Sequence, residues 1–204
     1  MNQDRASKPA PRREITRADL MPMADYAKIR REHRRNLVQL KRKRRLHIGP
    51  HVSLYFENYD TMWAQVQEML FIERGGEDQV AGELAAYNPL IPQGGELVAT
   101  MMIEIEDEGV RRRTLASLGH IEEAISLNFA GHKITAVPEA DLDRTTEEGK
   151  TSSVHFLHFA FTPAQIIAFR TPQAQIVAAI THPHYGHMAI LPEDSRAALA
   201  QDFA

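Results

Sequence analysis

The stretch "THPHYGHMAI", residues 181–190, sets His182, His184 and His187 within six positions. Neutral imidazoles ligate zinc, ferrous iron, nickel or copper, and with a carboxylate they make the open shell of non-haem iron chemistry. Pro183 keeps His182 extended, Tyr185 and Gly186 suit the chain reversal, and His187 then opens a returning strand beside the other two. Two further pairs could complete a shell. His47 and His51 are four apart in "RLHIGPHVSLYFEN" and share a face if Gly49 and Pro50 add no register shift. His155 and His158 in "VHFLHF" are three apart and fall on opposite faces of a strand, His155 with Leu157, Phe159 and Phe161. The competing reading is bland: a polar turn at a loop tip, and imidazoles hydrogen-bonded to their neighbours. His33, on the apolar stripe of a helix, is read in that second way.

Carboxylates that could join the imidazoles are Glu57, which closes the His47/His51 strand, and Glu73, which extends the Met62, Val66, Met69 face of a helix. Glu104 and Glu106 share the solvent face of their strand. The chain has no cysteine, so thiolate zinc, a protein-held iron–sulfur cluster, disulfides and cysteine nucleophiles are excluded. Any iron or zinc must take nitrogen and oxygen ligands. No phosphate loop, dinucleotide fingerprint or nucleophile elbow is present, and whether the protein is an enzyme stays open.

A second constellation is electrostatic. Residues 1–45 hold 15 of the 24 Lys and Arg but only 5 of the 27 acids, a surplus of ten positive charges over a body with thirteen more acids than bases. Arg30, Arg31, Arg34, Arg35, Lys41, Arg42, Lys43, Arg44 and Arg45 concentrate it. Such a segment binds phosphates in a salt-sensitive way, or an acidic protein surface. Aromatic residues do not interleave it, so single-strand stacking is not indicated. Solvation, or contact with its own acidic body, is the plainer account.

These residues need elements to position them. Residues 1–15, with Pro9, Pro11 and almost no large apolar side chain, are expected to be a flexible arm, and residues 16–204 a single domain. The periodicity of Tyr26, Ile29, Leu37 and Leu40 predicts a basic amphipathic helix over about 25–43. Asp60 is the expected cap of a helix "TMWAQVQEMLFIER", and a shorter helix follows over 77–87. Strands are expected at 45–58, 96–107, 124–138 with a turn near Ala130 and Gly131, in "SVHFLHFAF", in "QAQIVAAITH" and in "HMAILP". Thr162, Pro163 and Gln165 form a capping box ahead of "PAQIIAFR". The fold class is therefore α+β: a mainly antiparallel sheet, N-terminal helices packed on it, and a short C-terminal helix. No apolar run approaches the roughly 20 residues of a membrane span, and no signal peptide is evident, so a cytoplasmic location is expected.

"HIGPHVSLYFEN", "QEMLFIER", "AYNPLIPQGGEL", "TMMIEIED" and "TSSVHFLHF" together resemble an uncharacterised bacterial family, a domain of unknown function, from about residue 15 to the last strand. The resemblance implies companions, by gene neighbourhood, in rubrerythrin-like and heterodisulfide-reductase-like iron–sulfur proteins. Taken with His182, His184 and His187 as first-choice ligands, and His47, His51 or His155 completing the shell, it gives the expectation of a metal-binding accessory protein serving iron–sulfur or peroxide-handling redox partners. The alternative is a module whose Arg-rich helix docks on nucleic acid or an acidic protein.

Overall fold

The computed structural model describes residues 11–139 and 150–204. Six α-helices and nine strands lie within them: α1 Met23–Arg42, β1 Arg45–Ile48, β2 Val52–Phe56, α2 Tyr59–Glu73, α3 Glu77–Tyr87, β3 Glu96–Ile103, α4 Glu108–Ser117, β4 Ile125–Phe129, β5 His132–Thr135, β6 Val137–Pro138, β7 Val154–Ala160, α5 Pro163–Arg170, β8 Val177–His182, β9 Tyr185–Ile190 and α6 Glu193–Leu199. The class is α+β. All strand pairs are antiparallel, but they make two sheets rather than one: β1-β2-β3-β7-β6 and β5-β4-β8-β9. The chain changes sheet between β5 and β6, and Pro138 falls on an edge strand, where its missing N–H costs no ladder bond.

One core lies between the sheets. Leu54, Met101, Leu157 and Phe159 come from the first sheet and Leu127, Ala178 and Ile180 from the second, closed at one end by Phe169 and Phe203. Strict alternation in β7 sends His155, Leu157 and Phe159 into that core and leaves Phe156 and His158 on the other face. The outer face of the first sheet is covered by α2 and α3, whose Met62, Val66, Leu70 and Val80 form a second core with Val98 and Phe156. Helix α1 leans on α2 from outside and buries only Tyr26.

Several expectations shift by a few residues for identifiable reasons. Asn58, not Asp60, caps α2, because its side chain and that of Thr61 hydrogen-bond each other's backbone reciprocally. Strand β3 stops at Ile103 rather than 107, since Arg111 takes the carbonyls of Ile105 and Glu106 away from any ladder. The first ten residues of the expected arm, and most of the polar stretch 139–152, lie outside the described residues. Residues 11–15 are anchored at two points: Ile15 is 1% exposed and pairs with Asn88, and Arg13 donates to the carbonyls of Pro92 and Asp202. Among the described residues no helix is long and apolar enough to cross a membrane.

Candidate functional site

Strands β8 and β9 pair from Val177 with Ile190 to His182 with Tyr185, so Pro183 and His184 alone make the turn. The reversal expected at Tyr185 and Gly186 thus falls two residues earlier. The shortest hairpin loop is favoured, and Tyr185, 4% exposed, is claimed by the core. Its hydroxyl donates to the carbonyl of Ile48 at 2.7 Å and accepts the backbone N–H groups of His51 and Val52 at 2.9 and 3.1 Å. Burial holds that hydroxyl's pKa above its ordinary value, which keeps the donor proton in place. A tyrosine from the second sheet therefore clasps the β1–β2 turn of the first. His187 packs edge-to-face on Tyr185 with ring centroids 4.5 Å apart and covers Gly49. Gly49 has φ 70°, and a Cβ there would lie 2.5 Å from the His187 ring, so glycine is required on both counts.

His182, His47 and His155 are engaged too. His182 Nε2 lies 3.1 Å from the carbonyl oxygen of Gly119, so it carries the proton and donates; its Nδ1 accepts the backbone N–H of His184 at 3.2 Å. Neither nitrogen keeps a lone pair free for a metal. The His184 ring is exposed, 5.9 Å from that of His182. His47 Nε2 accepts from Arg45 Nε at 2.8 Å, and its Nδ1 lies 2.9 Å from Ser53 Oγ. Ser53 in turn donates to Glu104, which also accepts from Tyr55 at 3.0 Å, so His47 Nδ1–H must be the donor to Ser53. This chain includes a serine, a histidine and a glutamate, yet Ser53 is 1% exposed and its proton is committed. It is scaffolding on the first sheet's outer face, not a presented nucleophile. His155, fully buried, sets Nε2 at 3.0 Å from both Thr151 Oγ1 and the Ser152 carbonyl, with Glu122 3.6 Å from Nδ1.

The hairpin and the β1–β2 turn do meet, but Tyr185 makes the junction and the imidazoles do not converge. Among the described residues no three His, Asp or Glu side chains are grouped to hold a metal ion. Glu57 is buried and accepts from Thr100 at 2.8 Å, while Glu73 is exposed and bound by Gln79. Sequence reasoning did not single out Ser53, and it named Tyr185 only as a turn residue and Glu104 only as a solvent-face carboxylate, without the contacts they make. The only signal for Tyr185 was an aromatic among histidines at the start of a strand. His33 differs from its expectation as well: it packs edge-on to Trp63 and Tyr26, and its Nδ1 has no hydrogen-bond partner among the described residues.

The basic constellation divides in two. Arg44 is buried, donating to the carbonyls of Phe56 and Glu57 and ion-paired with Asp202. Arg45 lies along Tyr55 and His47, and Arg30 turns inward to a bidentate pair with Glu68, above the Phe71 ring. Glu68 is thereby held below its ordinary pKa, chiefly by that Arg30 hydrogen bond. Arg31, Arg34, Arg35, Lys41, Arg42 and Lys43 make no ion pair with the described residues. Positions 31, 34, 35, 38 and 42 follow the i, i+3, i+4, i+7, i+11 rule, so four arginines and Val38 form one stripe opposite Tyr26, His33, Leu37 and Leu40. Its ends are about 16 Å apart on a straight helix. Val38, 63% exposed, sits within it. Beside the stripe, Arg30, Arg31, Arg34, Ala27 and Phe71 surround a hollow of about 440 Å³.

Two packed antiparallel sheets backed by helices, with a cationic helix outermost, define an α+β protein whose longest run of exposed, unpaired cations among the described residues lies on one element. The chain belongs to the family described as "Protein of unknown function (DUF3501)", whose pattern matches residues 14–203. It is similar to a novel protein of unknown function from Burkholderia pseudomallei, known from a crystal structure, at 37% identity and a TM-score of 0.87, over 93% of this chain and 99% of that one. Comparison with curated proteins finds no match.

Proposed function

We propose that the protein is a binding module that docks an acidic protein surface on the outer stripe of α1. The observation that carries this reading is the set of four arginines, Arg31, Arg34, Arg35 and Arg42, aligned around an exposed valine and in no ion pair with the described residues. An apolar centre within a charged rim suits a protein interface better than a phosphate backbone, and no aromatic side chain stands on the stripe to stack on bases. Rubrerythrin-like and iron–sulfur redox proteins, the companions implied by the family resemblance, are the partners to test first. Complex formation measured by calorimetry at two salt concentrations should weaken with salt and disappear in an Arg31→Glu, Arg34→Glu, Arg35→Glu, Arg42→Glu variant. Unchanged binding by that variant rejects the reading, and tighter, salt-sensitive binding to duplex nucleic acid replaces the protein partner with a phosphate backbone.

The metal-accessory reading keeps a narrower support, the closeness of His184 to His182 on an exposed turn. It requires His182 to release Gly119 or the His184 N–H before iron or zinc could bind. Metal analysis of untagged protein, repeated for a variant with His182, His184 and His187 changed to Ala, decides it: no metal in the unaltered chain removes it.

A further inference from the structure

The segment leading into α1 crosses the groove between α2 and α3 and roofs a cavity of about 490 Å³, a volume within the range of small-ligand sites. Its walls are apolar: Leu20 and Met23 from the roof, Leu70 and Phe71 from α2, and Val80 from α3. At the rim Arg17 of the roof and Glu77 of α3 form a bidentate pair that cancels both charges. One charge is left over. Arg74 also lines the cavity, and its guanidinium makes no hydrogen bond or ion pair with the described residues.

Arg74 is also one of four non-glycine residues at positive φ among the described residues. It ends α2 in the left-handed conformation, φ 56° and ψ 32°, a place that glycine fills without strain. Glycines stand immediately after it, at 75 and 76, yet the strained position is given to arginine. Strain retained at an exposed cation on the margin of an apolar cavity points to use.

We infer that this cavity binds a medium-chain alkyl carboxylate, its chain against Leu20, Met23, Leu70, Phe71 and Val80 and its carboxylate on the Arg74 guanidinium. A fork of N–H donors matches a carboxylate, and the apolar walls reward each methylene removed from water. An uncharged ligand of the same length would leave Arg74 unused. A cation would meet it directly.

Decanoate, titrated calorimetrically into the full chain below its micelle-forming concentration, tests this. Saturable one-site binding is expected, weakened about tenfold or more by Arg74→Gly and retained by Arg74→Lys, with 1-decanol binding at least about tenfold less tightly than decanoate. Arg74→Gly relieves the left-handed strain, so loss of binding there is not loss of fold. Methionine-methyl NMR supplies the location: Met21 and Met23 should shift with decanoate, and Met188, on β9 of the other sheet, should not. Absence of saturable binding, equal affinity in Arg74→Gly, or shifts at Met188 without Met21 and Met23 would overturn the inference.

Discussion

The β8–β9 hairpin and α1 carry the two densest runs of chemically capable side chains in the chain, and the fold treats them oppositely. In the hairpin, His182 is tied to Gly119 and His184, and His187 and Tyr185 are pressed onto the β1–β2 turn. On α1, four arginines of one stripe form no ion pair with the described residues, although the same helix supplies Arg30 to Glu68. Density of polar residues therefore does not mark a site. What marks one is polarity that the protein does not itself satisfy, because a satisfied group has little left to offer a ligand.

That contrast can be broken from the hairpin side first. Gly49→Ala meets both a positive φ and the His187 ring, and should cost about 3 kcal/mol in urea denaturation; a cost near zero would mean that the hairpin does not press on the turn. Tyr185→Phe removes the acceptor of two backbone N–H groups and the donor to Ile48, and should cost about 2 kcal/mol by the same measurement. A smaller effect is expected at the half-buried pair of His158 and Glu96, 3.0 Å apart. The Glu96 hydrogen bond holds His158 above its ordinary pKa, and despite burial Glu96 is held below its own. The raised imidazole stabilises the fold below about pH 6.5 and loses that contribution as pH rises through its folded pKa. The lowered carboxyl contributes above about pH 4.5 and loses it in acid. The stability difference between the protein and His158→Gln should accordingly be largest near about pH 5.5, and smaller than about 1 kcal/mol given the solvent at the pair. Smallest of all, changing Arg31, Arg34, Arg35 and Arg42 to Gln should move stability by no more than about 0.5 kcal/mol. A large loss would show that the stripe serves the fold after all.

Much of the fold was legible because it rests on short-range rules. Thr162, Pro163 and Gln165 cap α5 as their types require, and Ala130 with Gly131, at φ 46° and 77°, turns β4 into β5. The alternation of β7 separated His155 from His158 correctly. The candidate site was legible only as an inventory. Asn58 and Asp60 are equally good caps on paper, and only the reciprocal bond with Thr61 distinguishes them. Arg44 looks like any other residue of a basic run until Asp202, at the far end of the chain, is found beside it.

The sequence by itself determined the class, the helices and strands, and the faces their side chains take, since periods of 3.6 and 2 are properties of neighbouring residues. Tertiary structure alone decided which polar groups are consumed. The partner of Tyr185 lies in the β1–β2 turn and that of His182 at Gly119, contacts across many residues that no local pattern encodes. Hydrogen-bonding capacity is finite, so the same imidazole is a ligand or a strut according to what the fold brings within about 3 Å of it.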